Sequence, residues 1–145
     1  MKTSELELDQ QTHELIKSFC VVGDKLSASQ LYSEALTEYN KAWAIVPDPK
    51  NEWEAATWIL AAIADTCYLG GFKKSAREAL QYAMTCPGAI GNPFLHLRYG
   101  QVLYDAGELD AAADELIRAY MGAGADIFAV EDEKYLNFLG TRAKL

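Results

Sequence analysis

Residues 17–49 read KSFCVVGDKLSASQLYSEALTEYNKAWAIVPDP, and the small residues of this segment carry the strongest structural signal in the chain. Ala35 and Ala42 are seven positions apart, which places them on one face of a helix, two turns from each other. Gly23 stands twelve positions before this pair, and bulky Tyr39 lies within it. Small residues let a second helix approach closely while large neighbours fill the grooves. The segment therefore predicts two antiparallel helices, ended by its Pro-Asp-Pro.

The same arrangement recurs twice further along the chain. The matching positions of the second and third copies are Leu60, Ala64, Cys67, Ala76, Leu80 and Ala83, and then His96, Gly100, Leu103, Ala112, Leu116 and Ala119. With Phe19 and Leu26 of the first copy, the three copies agree at six offsets, which indicates an internal repeat of helix pairs. No long stretch alternates apolar and polar residues, so no strand is expected. The predicted fold class is all-α.

This pattern resembles the tetratricopeptide repeat, a helix pair of about 34 residues. The first copy matches that family at Gly23, Tyr32, Ala35, Tyr39, Ala42 and Pro47. The second and third copies are more divergent, and the first-to-second spacing of 41 residues (Ala35 to Ala76) exceeds the family's unit. The resemblance covers roughly residues 16–124. It implies antiparallel helix pairs stacked as a short right-handed superhelix.

The repeats predict one domain over residues 1–145 with about seven or eight helices. Its expected parts are a helical lead-in (1–15), three repeats (16–50, 51–88 and 93–125) and a C-terminal capping helix (128–145). Stacked helix pairs need such a cap over their last exposed face. Because no breaker lies between Asn51 and Leu69, we expect the extra residues to lengthen the first helix of the second repeat.

Composition limits the class of partner. The chain has 145 residues, half of them apolar, with 21 acidic against 13 basic side chains and a net charge of −8. Nucleic acid and anionic membranes both need basic surface, so neither is expected as a partner, whereas a basic protein is permitted. No apolar run approaches the roughly 20 residues of a membrane span, and the first ten residues lack an apolar signal core. We expect a cytoplasmic protein.

The sequence shows no catalytic, cofactor or metal motif. His13 and His96 are far apart and have no ligand spacing to Cys20, Cys67 or Cys86. The three cysteines form no CxxC pair, so they are interpreted as free, buried thiols. His96 replaces a large apolar residue of the other copies, which predicts a packed, hydrogen-bonded imidazole. No enzyme activity, cofactor or metal is expected.

The remaining class of function is binding to a protein or peptide. The first helix of each repeat is expected to line a concave face. The residues predicted to contact a partner there are Asp24, Trp58, Asp65, Tyr68, Phe94, Leu97, Gln101 and Tyr104. Aromatic anchors beside charged groups are typical of interaction hot spots. The alternative is that the terminal helix folds over this face, which would make its aromatic residues part of the core. The acidic groups argue against a clamp for the carboxylate tails of chaperones.

A second candidate surface is the acidic last third of the chain. Residues 101–145 hold nine acids against four bases, and five of those acids surround the third turn between Asp105 and Glu115. These acids would either keep the surface solvated or attract a basic partner.

Three functions follow from these features. The leading hypothesis is a non-enzymatic module that binds a protein or peptide, similar to bacterial immunity proteins of the tetratricopeptide type, which neutralise a toxin. The alternative is a secretion chaperone or assembly scaffold that holds a peptide segment in its groove. A third hypothesis is an enzyme or ligand sensor with a pocket near Trp58, His96 and Tyr104.

Overall fold

The computed structural model describes residues 8–145, and within that range the chain is helical, with no β-strand. The α-helices are α1 (Gln10–Ala28), α2 (Tyr32–Ala44), α3 (Glu54–Gly70), α4 (Lys73–Ala83), α5 (Pro93–Asp105), α6 (Leu109–Ala123) and α7 (Glu133–Gly140). Two short 3-10 helices cover Lys50–Glu52 and Ala125–Phe128. Helices α1 to α6 pack as three antiparallel pairs, which confirms the predicted all-α class.

The helices form two compact units. The first unit extends to Gly88 and contains α1 to α4, where α2 also packs against α3. The second unit, Ala89–Leu145, contains α5, α6 and α7. The division falls at the end of the predicted second repeat, in a loop that is rich in glycine and proline.

Small residues bring the paired helices together, as their spacing predicted. The six repeated alanines, at positions 35, 42, 76, 83, 112 and 119, are all fully buried. A Cβ atom at Gly23 would lie 2.6 Å from Cε1 of Tyr39, and one at Gly100 would lie 2.6 Å from Cγ of Leu116. Such distances leave no room for a methyl group, so the close approach of α1 to α2 and of α5 to α6 depends on glycine.

Local signals set several helix ends. The carboxylate of Asp9 accepts a hydrogen bond from the backbone N–H of Thr12 at 2.9 Å, which caps α1 and lowers the pKa of Asp9. Asn92 caps α5 in the same way, through the N–H of Leu95, and Pro93 occupies the first helical position. Gly71 ends α3 with φ of 81°, a left-handed conformation that glycine adopts without strain.

The first helix of the second repeat begins later than the breaker-free stretch predicted. Residues Lys50–Glu52 form a 3-10 helix, and Trp53 is extended, so α3 starts only at Glu54. Tertiary contacts explain this difference. The Lys50 ammonium donates to the carbonyl oxygens of Trp43 (3.0 Å) and Val46 (2.7 Å) at the end of α2, and Trp53 packs against the core of the first unit.

The two ends of the chain also differ from the expected boundaries. Residues 10–15 of the predicted lead-in belong to α1 itself, and residues 1–7 lie outside the described part of the chain. The C-terminal helix starts at Glu133 rather than at 128, and it buries Tyr135 and Leu139. None of the described helices is both long and apolar enough to cross a membrane.

Candidate functional site

The first-helix face of the first unit, defined by Asp24, Trp58, Asp65 and Tyr68, is partly open. Trp58 on α3 is 37% exposed, and its ring meets the edge of His13 from α1 at 6.4 Å between centroids. Asp24 is exposed, although one carboxylate oxygen accepts a hydrogen bond from the Tyr39 hydroxyl at 2.6 Å. Asp65 and Tyr68 are half-buried and take part in interactions within the chain.

The matching face of the second unit is different. Leu97 and Gln101 are 1% and 0% exposed, so neither is available to a partner in this structure. Phe94 is half-buried beneath the guanidinium of Arg98, which lies 5.1 Å from the ring centroid. The prediction that Leu97 and Gln101 belong to an open binding surface is therefore wrong. Both side chains are part of the core.

Helix α7 accounts for the burial of Tyr104. The Tyr104 ring packs against Tyr135 at 5.4 Å and against Phe138 at 5.0 Å between centroids, both in edge-on geometry. Such pairs stabilise a docked helix beyond the area that they bury. At Tyr104, the alternative expectation of a terminal helix folded over the first-helix face thus describes the structure.

A buried polar clip, formed by Arg98, Gln101 and Glu131, holds the segment that leads into α7. One nitrogen of Arg98 donates to Oε1 of Gln101 at 2.7 Å and to Oε1 of Glu131 at 2.6 Å. The Gln101 amide donates to the same Glu131 oxygen at 2.8 Å. Because Arg98 is only 6% exposed, this pair is shielded from water and from salt. The clip joins α5 to a residue more than thirty positions later.

Sequence reasoning missed this clip, although a signal was present. In the repeat register, Arg98 stands where the other two copies have Val21 and Ala62, both of them apolar. A cation at an apolar position of a packed helix indicates a buried partner, because an unpaired buried charge is very costly. The identity of that partner could not be read from the register, since Glu131 lies outside the repeats.

His96 sits in a second buried network. It is 2% exposed, and its Nε2 atom accepts a hydrogen bond from the backbone N–H of Gly91 at 2.9 Å. Because Nε2 accepts, the ring proton is on Nδ1, which donates to Oε1 of Glu115 at 2.7 Å. The predicted packed, hydrogen-bonded imidazole is confirmed. Both ring nitrogens are engaged, so His96 is not placed to act as a base towards a substrate.

The acidic residues around the third turn interact largely with other residues of the second unit. Their ion pairs are Asp105 with Lys134 (3.8 Å), Asp110 with Arg142 (2.8 Å) and Asp114 with Arg118 (3.5 Å), and Glu115 accepts the hydrogen bond from the neutral His96 ring at 2.7 Å. The Tyr135 hydroxyl also donates to Asp105 at 2.9 Å. Several of these contacts attach α7 and the residues after it to the α5–α6 turn, so much of this negative charge is locally compensated.

Beside the start of α7 lies an open cleft of about 560 Å³. Phe128 and Leu136 supply its apolar part, and Asp132 and Glu133 its acidic part. Asp132 already caps α7 by accepting from the N–H of Lys134 at 2.9 Å.

The cysteines show no sign of reactivity. Cys20, Cys67 and Cys86 are buried free thiols, and burial raises their pKa values, to about 11 for Cys20 and for Cys67. A thiol that stays protonated at neutral pH is a poor nucleophile and a poor metal ligand. Among residues 8–145, no three His, Cys, Asp or Glu side chains are grouped closely enough to hold a metal ion.

No protein-family model matches the chain, and no curated protein is significantly similar to it. Function is therefore inferred from the residues of the two units themselves. The first-helix face of the first unit remains as the candidate site, because its second-unit counterpart is covered.

Proposed function

We propose that this protein is a non-enzymatic interaction module of the tetratricopeptide type that binds a protein partner through the first-helix face of its first unit. The observation that carries this proposal is the contrast between Trp58, which is 37% exposed, and Tyr104, which lies against α7. Tryptophan is the residue most enriched in interaction hot spots. An indole that is more than one-third exposed on a helical face supports binding.

The chemistry of this face favours a basic partner. Asp24 and Asp65 lie on the same first-helix face as Trp58, and the whole chain carries a net charge of −8. A lysine or arginine of the partner could stack on the indole while its charge approaches the carboxylates. Long-range attraction would also speed association. We propose a basic, folded toxin domain as the partner, which the bound protein would neutralise.

Affinity capture from the native host, including products of adjacent genes, tests this proposal at low and at moderate salt. Capture of one folded, basic partner whose purified form then binds less tightly as salt rises would support it. The variant Trp58→Ala should weaken that binding at least about tenfold. Tyr82→Ala is the matched control, because Tyr82 is a similarly exposed aromatic residue (39%) on α4, outside the first-helix face.

Other results would point elsewhere. Full affinity in Trp58→Ala would exclude the first-helix face as the binding surface. Capture of many unrelated unfolded chains or short peptides would favour the chaperone or scaffold alternative instead.

A further inference from the structure

Helix α1 carries two separate apolar stripes. The first stripe, Ile16, Cys20 and Gly23, is buried in the core of the first unit. The second stripe, called the outer stripe below, consists of Leu15, Phe19, Val22 and Leu26. Its members follow at intervals of four, three and four residues, which places them on one helix face. Leu15 and Val22 are 51% and 42% exposed, whereas the other two are half-buried against the core.

The residues at the matching positions of the second repeat show how such a stripe is used on another helix. Its counterparts on α3 are Ala56, Leu60, Ile63 and Cys67. Three of these are at most 5% exposed, and Ile63 packs against the cluster that includes Tyr39 and Ala42 of α2. On α3, the positions that match the outer stripe therefore form a helix-packing surface. On α1, no other helix of the described residues covers Leu15 and Val22.

We propose that the outer stripe binds the outer stripe of a second copy of this chain, with the two α1 helices antiparallel about a twofold axis. In this arrangement Leu15 of each copy lies opposite Val22 of the other. The axis then passes between Ser18 and Phe19. Because the same patch serves both copies, the contact is closed and stops at the dimer.

Charge selects the antiparallel arrangement. Glu14 and Lys25 flank the outer stripe on the same side of α1, eleven residues apart. With Leu15 opposite Val22, Glu14 of one copy comes within reach of Lys25 of the other, and the twofold axis forms this pair twice. In a parallel arrangement, the twofold axis would place the Glu14 and Lys25 side chains of one copy on the opposite side of the contact from those of the other, so this pair would not form.

This dimer leaves the proposed binding face open. His13, which touches Trp58, and Leu15 point about 160° apart around α1, since successive residues of a helix are rotated by about 100°. The outer stripe and the first-helix face thus lie on nearly opposite sides of the helix. A dimer would present two such faces and could bind a multivalent partner with higher avidity.

Sedimentation velocity of the full chain over a range of concentrations tests the proposal. We expect a concentration-dependent species of twice the 16.0 kDa chain mass. The double variant Leu15→Gln/Val22→Gln should raise the dimer dissociation constant at least about tenfold, because it removes the apolar contact. The control is Met121→Gln/Val130→Gln, which replaces even more exposed apolar residues (79% and 90%) in the second unit and should leave dimerisation unchanged.

Charge-reversal variants test whether the two α1 helices of the dimer are antiparallel. Glu14→Lys alone and Lys25→Glu alone should each weaken the dimer, because each places like charges opposite one another. The combined variant Glu14→Lys/Lys25→Glu restores opposite charges in the antiparallel arrangement and should recover dimerisation. Circular dichroism should show that all variants fold, as expected for substitutions at exposed positions.

Three outcomes would overturn the proposal. A monomer at every concentration would mean that something other than a second copy covers the outer stripe. A dimer that persists in Leu15→Gln/Val22→Gln would place the contact on another surface. Failure of the combined charge reversal to recover the dimer would exclude the antiparallel pairing of α1.

Discussion

The first-helix face is partly open in the first unit of this protein, whereas the matching face of the second unit is covered. In the first unit the first-helix face keeps Trp58 partly exposed, whereas in the second unit α7 packs against the Tyr104 end of the matching face and Tyr104 becomes part of an aromatic cluster. Both faces are rich in aromatic residues. Aromatic content alone therefore does not distinguish an open face from a covered one, and the presence of a covering element does.

The difference arises from a few residues outside the repeat pattern. Arg98 on α5 has an apolar counterpart in the other two copies, and Glu131 follows the last repeat. Together with Gln101 they form the clip that directs the chain into α7. A buried ion pair of this kind adds little net stability but specifies one arrangement, since any other leaves a charge unpaired.

The largest expected effect comes from breaking that clip. Arg98→Ala should lower the free energy of unfolding of the second unit by about 3 kcal/mol or more, because Glu131 and Gln101 lose their buried partner. Urea unfolding followed by far-UV circular dichroism measures the loss. Hydrogen exchange at Tyr135 and Leu139 should also become faster as α7 detaches.

Arg118→Ala is the matched control for the clip. Arg118 pairs with Asp114 at 3.5 Å, but both side chains are largely exposed, so the variant should cost less than about 1 kcal/mol. Equal losses in Arg98→Ala and Arg118→Ala would contradict the view that burial makes the Arg98 pair important.

The next effect sharpens the contrast between the two aromatic faces. Tyr104→Ala should destabilise the second unit by about 2 kcal/mol, since it removes a half-buried ring from the contacts with Tyr135 and Phe138. Trp58→Ala should lower the free energy of unfolding less than Tyr104→Ala does, because that ring is more exposed. Thermal unfolding of both variants by circular dichroism provides the comparison. A greater loss in Trp58→Ala would show that the indole belongs to the core.

Glycine substitutions probe how closely each helix pair is packed. A Cβ atom at Gly100 would meet both the side chain of Leu116 and its backbone nitrogen, at 3.1 Å, whereas one at Gly23 would meet only the ring of Tyr39. Gly100→Ala should therefore lower the free energy of unfolding by about 1–2 kcal/mol, even though alanine has the better helix propensity. Gly23→Ala should lower it somewhat less. Gly140→Ala has free space around it and should be neutral in the same unfolding assay.

The smallest effect is confined to alkaline pH and to the first unit, which contains all three cysteines. Burial raises the pKa of Cys67 from its ordinary 9.0 to about 11, so the native state favours the protonated thiol. This contribution to stability is complete below about pH 9 and is lost as pH rises towards 11. Tryptophan fluorescence follows the first unit alone, since Trp43, Trp53 and Trp58 all lie there.

Cys67→Ala supplies the control for this pH effect. The variant should show a smaller loss of stability between pH 8 and pH 10 than the natural chain, because one of the raised thiol pKa values is removed. An unchanged pH dependence would mean that Cys67 ionises as readily in the folded state as in the unfolded one.

Much of the fold followed from local patterns. The spacing of small residues predicted the three helix pairs, and the single histidine of the third copy was correctly interpreted as a packed imidazole. The start of α3 was not predictable in this way, because Lys50 and Trp53 make contacts with α2 and with the core rather than with their sequence neighbours. Leu97 and Gln101 were misplaced for the same reason: their burial depends on tertiary contacts and not on their sequence neighbours.

The amino-acid sequence by itself determined the class of fold, the pairing of the helices and the positions of close approach, since these depend on helical period and side-chain size. Tertiary structure alone decided which face of each unit stays open. That outcome depends on where α7 docks and on which polar groups meet when it does. Contacts between Arg98 and Glu131, or between Tyr104 and Phe138, join residues more than thirty positions apart, and no periodicity of the sequence relates them.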